Sequence, residues 1–195
     1  METMRLRIQG VRALKLHNGM LANPLSQYAR LLKDATSKKN KTIADYERIA
    51  HIEFLAGLYP QPEYPWKNGQ EYAVVIPGAM LRKVLIEGAR KDKLGKQVEA
   101  GVLPPEDTPL LYDGPSDPEK LWDAGFHETV PVGIGRSKTI RTRPFFEEWA
   151  LEPVFEYAKD LVQGDQLLRA IQRAGREVGM GDDRPLFGLF AVEVI

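Results

Sequence analysis

Cysteine is absent from this chain of 195 residues, so it can form neither a disulfide framework nor a thiolate metal site. The three histidines, His17, His51 and His127, are too widely spaced in sequence to suggest a metal cluster. No apolar run approaches the roughly 20 residues that a membrane-spanning helix needs. The opening stretch METMRLRIQG lacks the apolar core of a signal peptide, so a cytoplasmic protein without a membrane partner is expected. No P-loop, HExxH, nucleophile elbow or dinucleotide fingerprint is present, which leaves the common enzyme chemistries without residues to carry them. A cofactor-free, non-enzymatic role follows as the expectation.

Net charge is also missing, since 27 Lys and Arg balance 27 Asp and Glu. The charges are nevertheless segregated along the chain. Residues 30–42, 82–96 and 129–146 together hold 15 of the cations and only 3 of the acids. Those 46 residues therefore carry +12 and the other 149 carry −12. A basic groove on a neutral protein would give this pattern, and so would solvated helix faces. A hydrophobic content of 43% is enough for one soluble globular domain with a sizeable core.

Met4, Leu6 and Ile8 alternate with Arg5, Arg7 and Gln9, which predicts a half-buried strand with a basic open face and a bulge near Gly10. Residues 17–70 read as an insertion. It contains turn-rich HNGMLANP, a mobile basic run LKDATSKKNKT, and a helix over 43–58 with Tyr46, Ile49, Ala50 and Phe54 on one face. A short strand over 72–76 ends at Pro77. Met80, Leu81, Val84, Leu85 and Gly88 then predict an amphipathic helix over 79–91. A second insertion, 92–127, is rich in acids and prolines and holds a short strand LLY. Further strands are expected over 129–134 and 148–157, the second interrupted by Pro153, followed by a helix over 164–175 and a last strand over 189–195.

Without its insertions the chain reads strand, helix, strand, strand, helix, strand, the α+β ferredoxin-like (split βαβ) order of an antiparallel sheet covered on one face by two helices. RNA-recognition modules use the free face of such a sheet for binding. The loop AGREVGMGDDRPLFG, before the last strand, concentrates Gly175, Gly179, Gly181 and Gly188 with Arg176 and Arg184. Such a loop can press backbone N–H groups against an anionic partner. It equally fits a C-cap at Gly175 followed by tight turns, with Arg184 in an ion pair.

Two of these segments resemble the RAMP superfamily, ferredoxin-like proteins that form CRISPR effector backbones and process guide RNA. VVIPGAMLRKVLIEGAR resembles the IPGSSLKGALR type of segment that opens their first helix, and the glycine loop sits where they carry theirs. Ala79 and Met80 replace the usual small polar pair, and GMGDDRPLFG lacks the SRGFGR ending. LANP, RTRPFFEEW and AGREVGMGDDRP are also similar to a group of tailed-phage proteins. The RAMP resemblance implies a single RAMP-like domain that binds single-stranded RNA or DNA, RNA before DNA, and the phage likeness implies one that is phage-encoded and acts in the host cytoplasm. The RAMP resemblance also implies a homo-oligomer or helical filament, since proteins of this type stack head to tail.

The expected contacts to nucleic acid are Lys38, Lys39 and Lys41 as a phosphate clamp, Arg82 and Arg90 on the amphipathic helix, and Arg136, Lys138, Arg141 and Arg143 on an extended arm. Gly179, Gly181 and Arg184 complete the set from the glycine loop. Among the aromatics near these stretches, Tyr28, Tyr46, Trp66, Phe145, Phe146 and Phe187, base stacking is expected of one or two, Phe145 first. His17 follows the first strand, where RAMP endonucleases place a catalytic histidine, so a metal-independent ribonuclease with His17 as general base is the alternative reading. Asp182 and Asp183, with Asp113 or Glu177, are the only carboxylates suggesting a metal, and turns favour Asp without one. A phage structural or inhibitor protein acting through protein contacts is the third reading.

Overall fold

The computed structural model describes residues 1–67, 70–134 and 137–195, with the side chains of 134, 137 and 138 outside that description. In chain order its elements are β1 (Glu2–Gly10), β2 (Leu14–Lys15), a 3-10 turn (Gly19–Ala22), α1 (Gln27–Ser37), α2 (Ile43–Gly57), β3 (Val75–Ile76), α3 (Gly78–Arg90), α4 (Gly95–Gly101), β4 (Thr108–Pro109), α5 (Pro118–Asp123), β5 (His127–Ile134), β6 (Ser137–Phe146), β7 (Ala150–Leu151), β8 (Val154–Tyr157), α6 (Gly164–Glu177) and β9 (Phe190–Val194). The fold is α+β, with antiparallel sheets and six α-helices among the described residues. The chain forms two compact units.

The first unit comprises Met1–Lys15, Val75–Asp113 and Phe146–Ile195. β1 is its central strand. β9 lies along one edge in the register Leu6↔Val194 to Gly10↔Phe190, and β7 and β8 lie along the other. The break between β7 and β8 falls at Pro153, which has no N–H to donate, and Leu6 still reaches its carbonyl at 3.1 Å. Beyond β8 runs an irregular stretch in which Val102 bridges Tyr157 and Leu111 bridges Ala150. The alternation read from sequence places Leu6 and Ile8 in the core, where both are fully buried. α3 and α6 pack against each other. Their approach needs Gly88, because a Cβ there would stand 2.3 Å from the Ala170 carbonyl oxygen.

The expected basic open face of β1 is partly neutralised by one carboxylate. Arg5 and Arg7 both bond Glu152, at 3.2 and 2.6 Å, and the two guanidiniums, Arg7 first, hold its carboxyl below the usual range.

The second unit comprises Leu16–Val74 and Gly114–Phe145. α1, absent from the sequence reading, starts at Ser26, whose hydroxyl accepts the Ala29 N–H, and buries Tyr28, whose own hydroxyl donates to the Pro62 carbonyl. α2 opens with a capping box in which Thr42 and Asp45 each accept the other's backbone N–H. Its C-terminal half, from Ile52 to Gly57, is buried. The strand expected over 129–134 is part of this unit. It pairs with β6 as a hairpin, from His127↔Pro144 to Ile134↔Ser137, and does not pair with the strand over 148–157. The expected second insertion is accordingly shared: 92–113 belongs to the first unit, with α4 and β4, and 114–127 to the second, with α5.

Candidate nucleic-acid interface

The second unit carries a groove of about 690 Å³ walled by α2 and the β5–β6 hairpin. Its apolar surface includes Tyr46, Ile49, Ala50 and Ile140, with Tyr46 58% exposed and Ile140 54% exposed. Among the described residues every other Phe, Tyr or Trp ring is buried or half-buried, so Tyr46 is the one left open to water. Lys41 and Arg141 supply cations to the lining, and Glu47 and Glu53 supply carboxylates.

Glu53 is the anchor of this groove. It is only 5% exposed, yet it is doubly satisfied: Arg141 donates to Oε1 at 2.6 Å and the Thr142 backbone N–H donates to Oε2 at 2.8 Å. An α2 carboxylate thus takes an N–H of β6 and holds the Arg141 guanidinium by one of its nitrogens. The lining residue Lys41 donates to the carbonyl of Lys38, which caps the end of α1 and bonds Asp45 at 2.6 Å. Lys38, first, and the Thr42 N–H hold the Asp45 carboxyl well below its ordinary range. Lys39 is exposed beside them.

The remaining expected contacts are placed elsewhere. Arg143 is half-buried and opposite Glu128 in the hairpin register, and Phe145, also half-buried, donates its N–H to the Phe126 carbonyl. Arg136 lies outside the described residues, as does the side chain of Lys138. Arg82 is committed to its own unit, donating to the carbonyls of Val102, at 2.9 Å, and Glu99. Arg90 and Arg184 line a cleft of about 660 Å³ beside Glu87 and Asp182, and Arg184 is paired with Glu87 at 3.1 Å. Of the aromatics, Tyr28 and Phe146 are buried, Trp66 donates to Asp117 at 2.8 Å, and Phe187 lies beneath the Lys15 ammonium at 3.8 Å. His17 is exposed, and its carbonyl accepts the Tyr59 hydroxyl.

The glycine loop folds onto its own chain. Gly179, Gly181 and Gly188 have φ of +76°, +79° and +73°. The N–H groups of Gly179, Met180, Asp182 and Gly188 go to the carbonyls of Ala174, Gly188, Lys15 and Ala13. Those donors are satisfied within the first unit and do not point at an anionic partner. Asp183 bonds the buried Lys15 ammonium at 3.2 Å, and among the described residues no three acidic or histidine side chains converge as a metal site.

Sequence reasoning reached Lys41, Tyr46 and Arg141 but missed Glu47, Glu53 and Ile140. Local spacing gave no signal for them, because the groove exists only once β6, about 90 residues later, lies against α2.

No protein-family model matches this chain, and no curated protein matches it. Among solved structures, the crystal structure of Cmr6 from Pyrococcus furiosus aligns over 97% of this chain and 97% of that one, at 12% identity and a TM-score of 0.36. At that identity and score the likeness carries no argument for fold or function. No described helix is long and apolar enough to cross a membrane.

Proposed function

We propose that this chain is a non-enzymatic binder of single-stranded nucleic acid, RNA in preference to DNA, acting as a repeating subunit of a filament or larger complex, with the α2–hairpin groove as its binding site. The observation that supports the reading is the exposed Tyr46 ring sharing one groove with Lys41 and Arg141, with Lys39 exposed two positions before Lys41 in the chain. Single-strand binders combine these parts, an aromatic face for a base and nearby cations for the backbone. The order β9, β1, β7 and β8, with the irregular 102–111 stretch outside them and α3 packed on α6, fits a ferredoxin-like split βαβ reading of the first unit.

Stacking on one aromatic is worth about 1–3 kcal/mol per base, so Tyr46→Ala is expected to weaken binding of a labelled oligonucleotide about 5- to 150-fold. Its melting temperature should hardly change, because the ring is largely in water. Fluorescence anisotropy and a thermal melt on the same preparations check both. Absence of binding by the unmodified protein at low salt would overturn the proposal.

A further inference from the structure

The groove's lining is electrically balanced, and that is odd for a phosphate track. Lys41 and Arg141 are matched by Glu47 and Glu53, and a carboxylate facing a phosphodiester would repel it. The balance suits a neutral group with both donors and acceptors, which in a nucleotide is the base. Resting on the proposed binding of single strands, we infer that the groove is a nucleobase pocket selective for guanine, in which Arg141 and Glu47 read opposite hydrogen-bonding edges of a base stacked on Tyr46.

Arg141 is fixed before any ligand arrives. One guanidinium nitrogen is spent on Glu53, 2.6 Å away, and that carboxylate is buried and also held by the Thr142 N–H. Separating the pair would leave a buried charge without its partner, so Arg141 stays where it is. A guanidinium has five donors in a planar fork, and the rest of the fork is unspent among the described residues. Two parallel donors match two adjacent acceptors. Guanine O6 and N7 offer that pair, whereas adenine places a donor beside its N7.

Glu47 supplies the complement. It lines the same groove, is exposed, and has no hydrogen bond or ion pair among the described residues. A free carboxylate accepts from two neighbouring donors, which guanine presents as N1–H and its N2 amino group and uracil or adenine do not. Tyr46 provides the stacking face and Ile140 further apolar surface. Glu53 acts through Arg141 and is a positioning residue.

The test uses uridine oligonucleotides carrying one central guanosine, adenosine, 7-deazaguanosine or inosine, titrated by anisotropy against the full chain. A good bidentate contact discriminates by about 5- to 150-fold, so the guanosine strand should bind tighter than the adenosine strand by a factor in that range. Replacing N7 by carbon should erase the share due to Arg141, and inosine, which lacks the amino group, the share due to Glu47. Glu47→Gln should lose its share of the guanosine preference, becoming indifferent to inosine, while binding the adenosine strand at least as well, and Arg141→Lys should become indifferent to 7-deazaguanosine. Equal affinity for all four strands would overturn the inference and leave single-strand binding intact. Failure to bind any of them would overturn the underlying proposal instead. A variant that melts like the parent but keeps full guanosine preference removes its residue from the pocket.

Discussion

A Cβ on Gly181 would stand 2.1 Å from the Lys15 carbonyl oxygen and 2.9 Å from a Leu14 methyl carbon, at a φ of +79° that side chains rarely adopt. Both penalties fall on the folded state. The sequence alone predicts that a valine there harms binding more than folding, because a glycine-rich loop before a strand reads as a cradle for an anion. Here the close approach is to the chain's own backbone. Gly181→Val is therefore expected to destabilise the first unit by several kcal/mol, since it adds a backbone clash to a strained dihedral. Gly133, where an added Cβ meets nothing within 4 Å among the described residues, serves as the control. Denaturant titration of Gly181→Val and Gly133→Ala measures the contrast, and equal midpoints would contradict the packing role assigned to the loop.

Element by element, the sequence was most legible where one face repeats cleanly. The alternation in β1, the stripes of α2, α3 and α6, and the last strand are found within a few residues of their expected limits. α1 was hidden because its basic run KDATSKK reads as a solvated loop, although Ser26 caps it and Tyr28 anchors it. β5 was counted among the strands of the ferredoxin-like order, whereas it pairs with β6 in the second unit, because strand pairing is a long-range choice that its own residues do not encode. The junction of α2, α5 and β5 shows what such pairing creates. His127 stacks on Trp122 with ring centroids 4.0 Å apart and meets Phe54 at 6.0 Å, while His51 contacts the same Trp122 at 5.0 Å. His51 Nε2 lies 2.8 Å from a Glu119 oxygen, a bond that exists only when that nitrogen carries hydrogen.

Burial, first, and the nearby His51 lower the pKa of His127 below its ordinary 6.5. The unfolded chain then binds more protons than the folded one between the lowered value and about 6.5. The contribution of His127 to stability is thus fully present above about pH 6.5 and is lost as the pH falls through the lowered value. His127→Phe, which keeps an aromatic ring on Trp122, is expected to flatten the pH dependence of the melting temperature in that window. An unchanged profile would mean that another group titrates there.

For the whole molecule, the charge segregation read from sequence survives only locally. Counted by unit, the second carries +2 and the first −2, so neither is a strongly basic body. Much of the local excess is also spoken for: Lys38 on Asp45, Arg141 on Glu53, Arg82 on carbonyls and Arg184 on Glu87. A cation already neutralised by a buried carboxylate releases few counterions when a nucleic acid binds. The sequence treats Arg141 and Lys41 alike, as one positive charge each, but the structure separates them. Each phosphate contact to a single strand contributes roughly 0.7 to the slope of log affinity against log salt. Replacing Lys39 and Lys41 with alanine is expected to reduce the magnitude of that slope by about 1.4, equally for every base composition, since phosphates carry no sequence information. The Arg141–Glu53 pair as a whole should add little to the slope, but Arg141→Ala alone uncovers the charge of a buried carboxylate, so that variant is expected to melt lower. Arg141→Ala with Glu53→Gln removes both charges together and isolates the electrostatic effect. The measurement is an anisotropy titration of one uridine oligonucleotide at several salt concentrations for the parent, the lysine double variant and the Arg141 variants. A slope that falls with Arg141 but not with the lysines would reverse the assignment, making the groove the backbone track and Lys39 and Lys41 solvated bystanders.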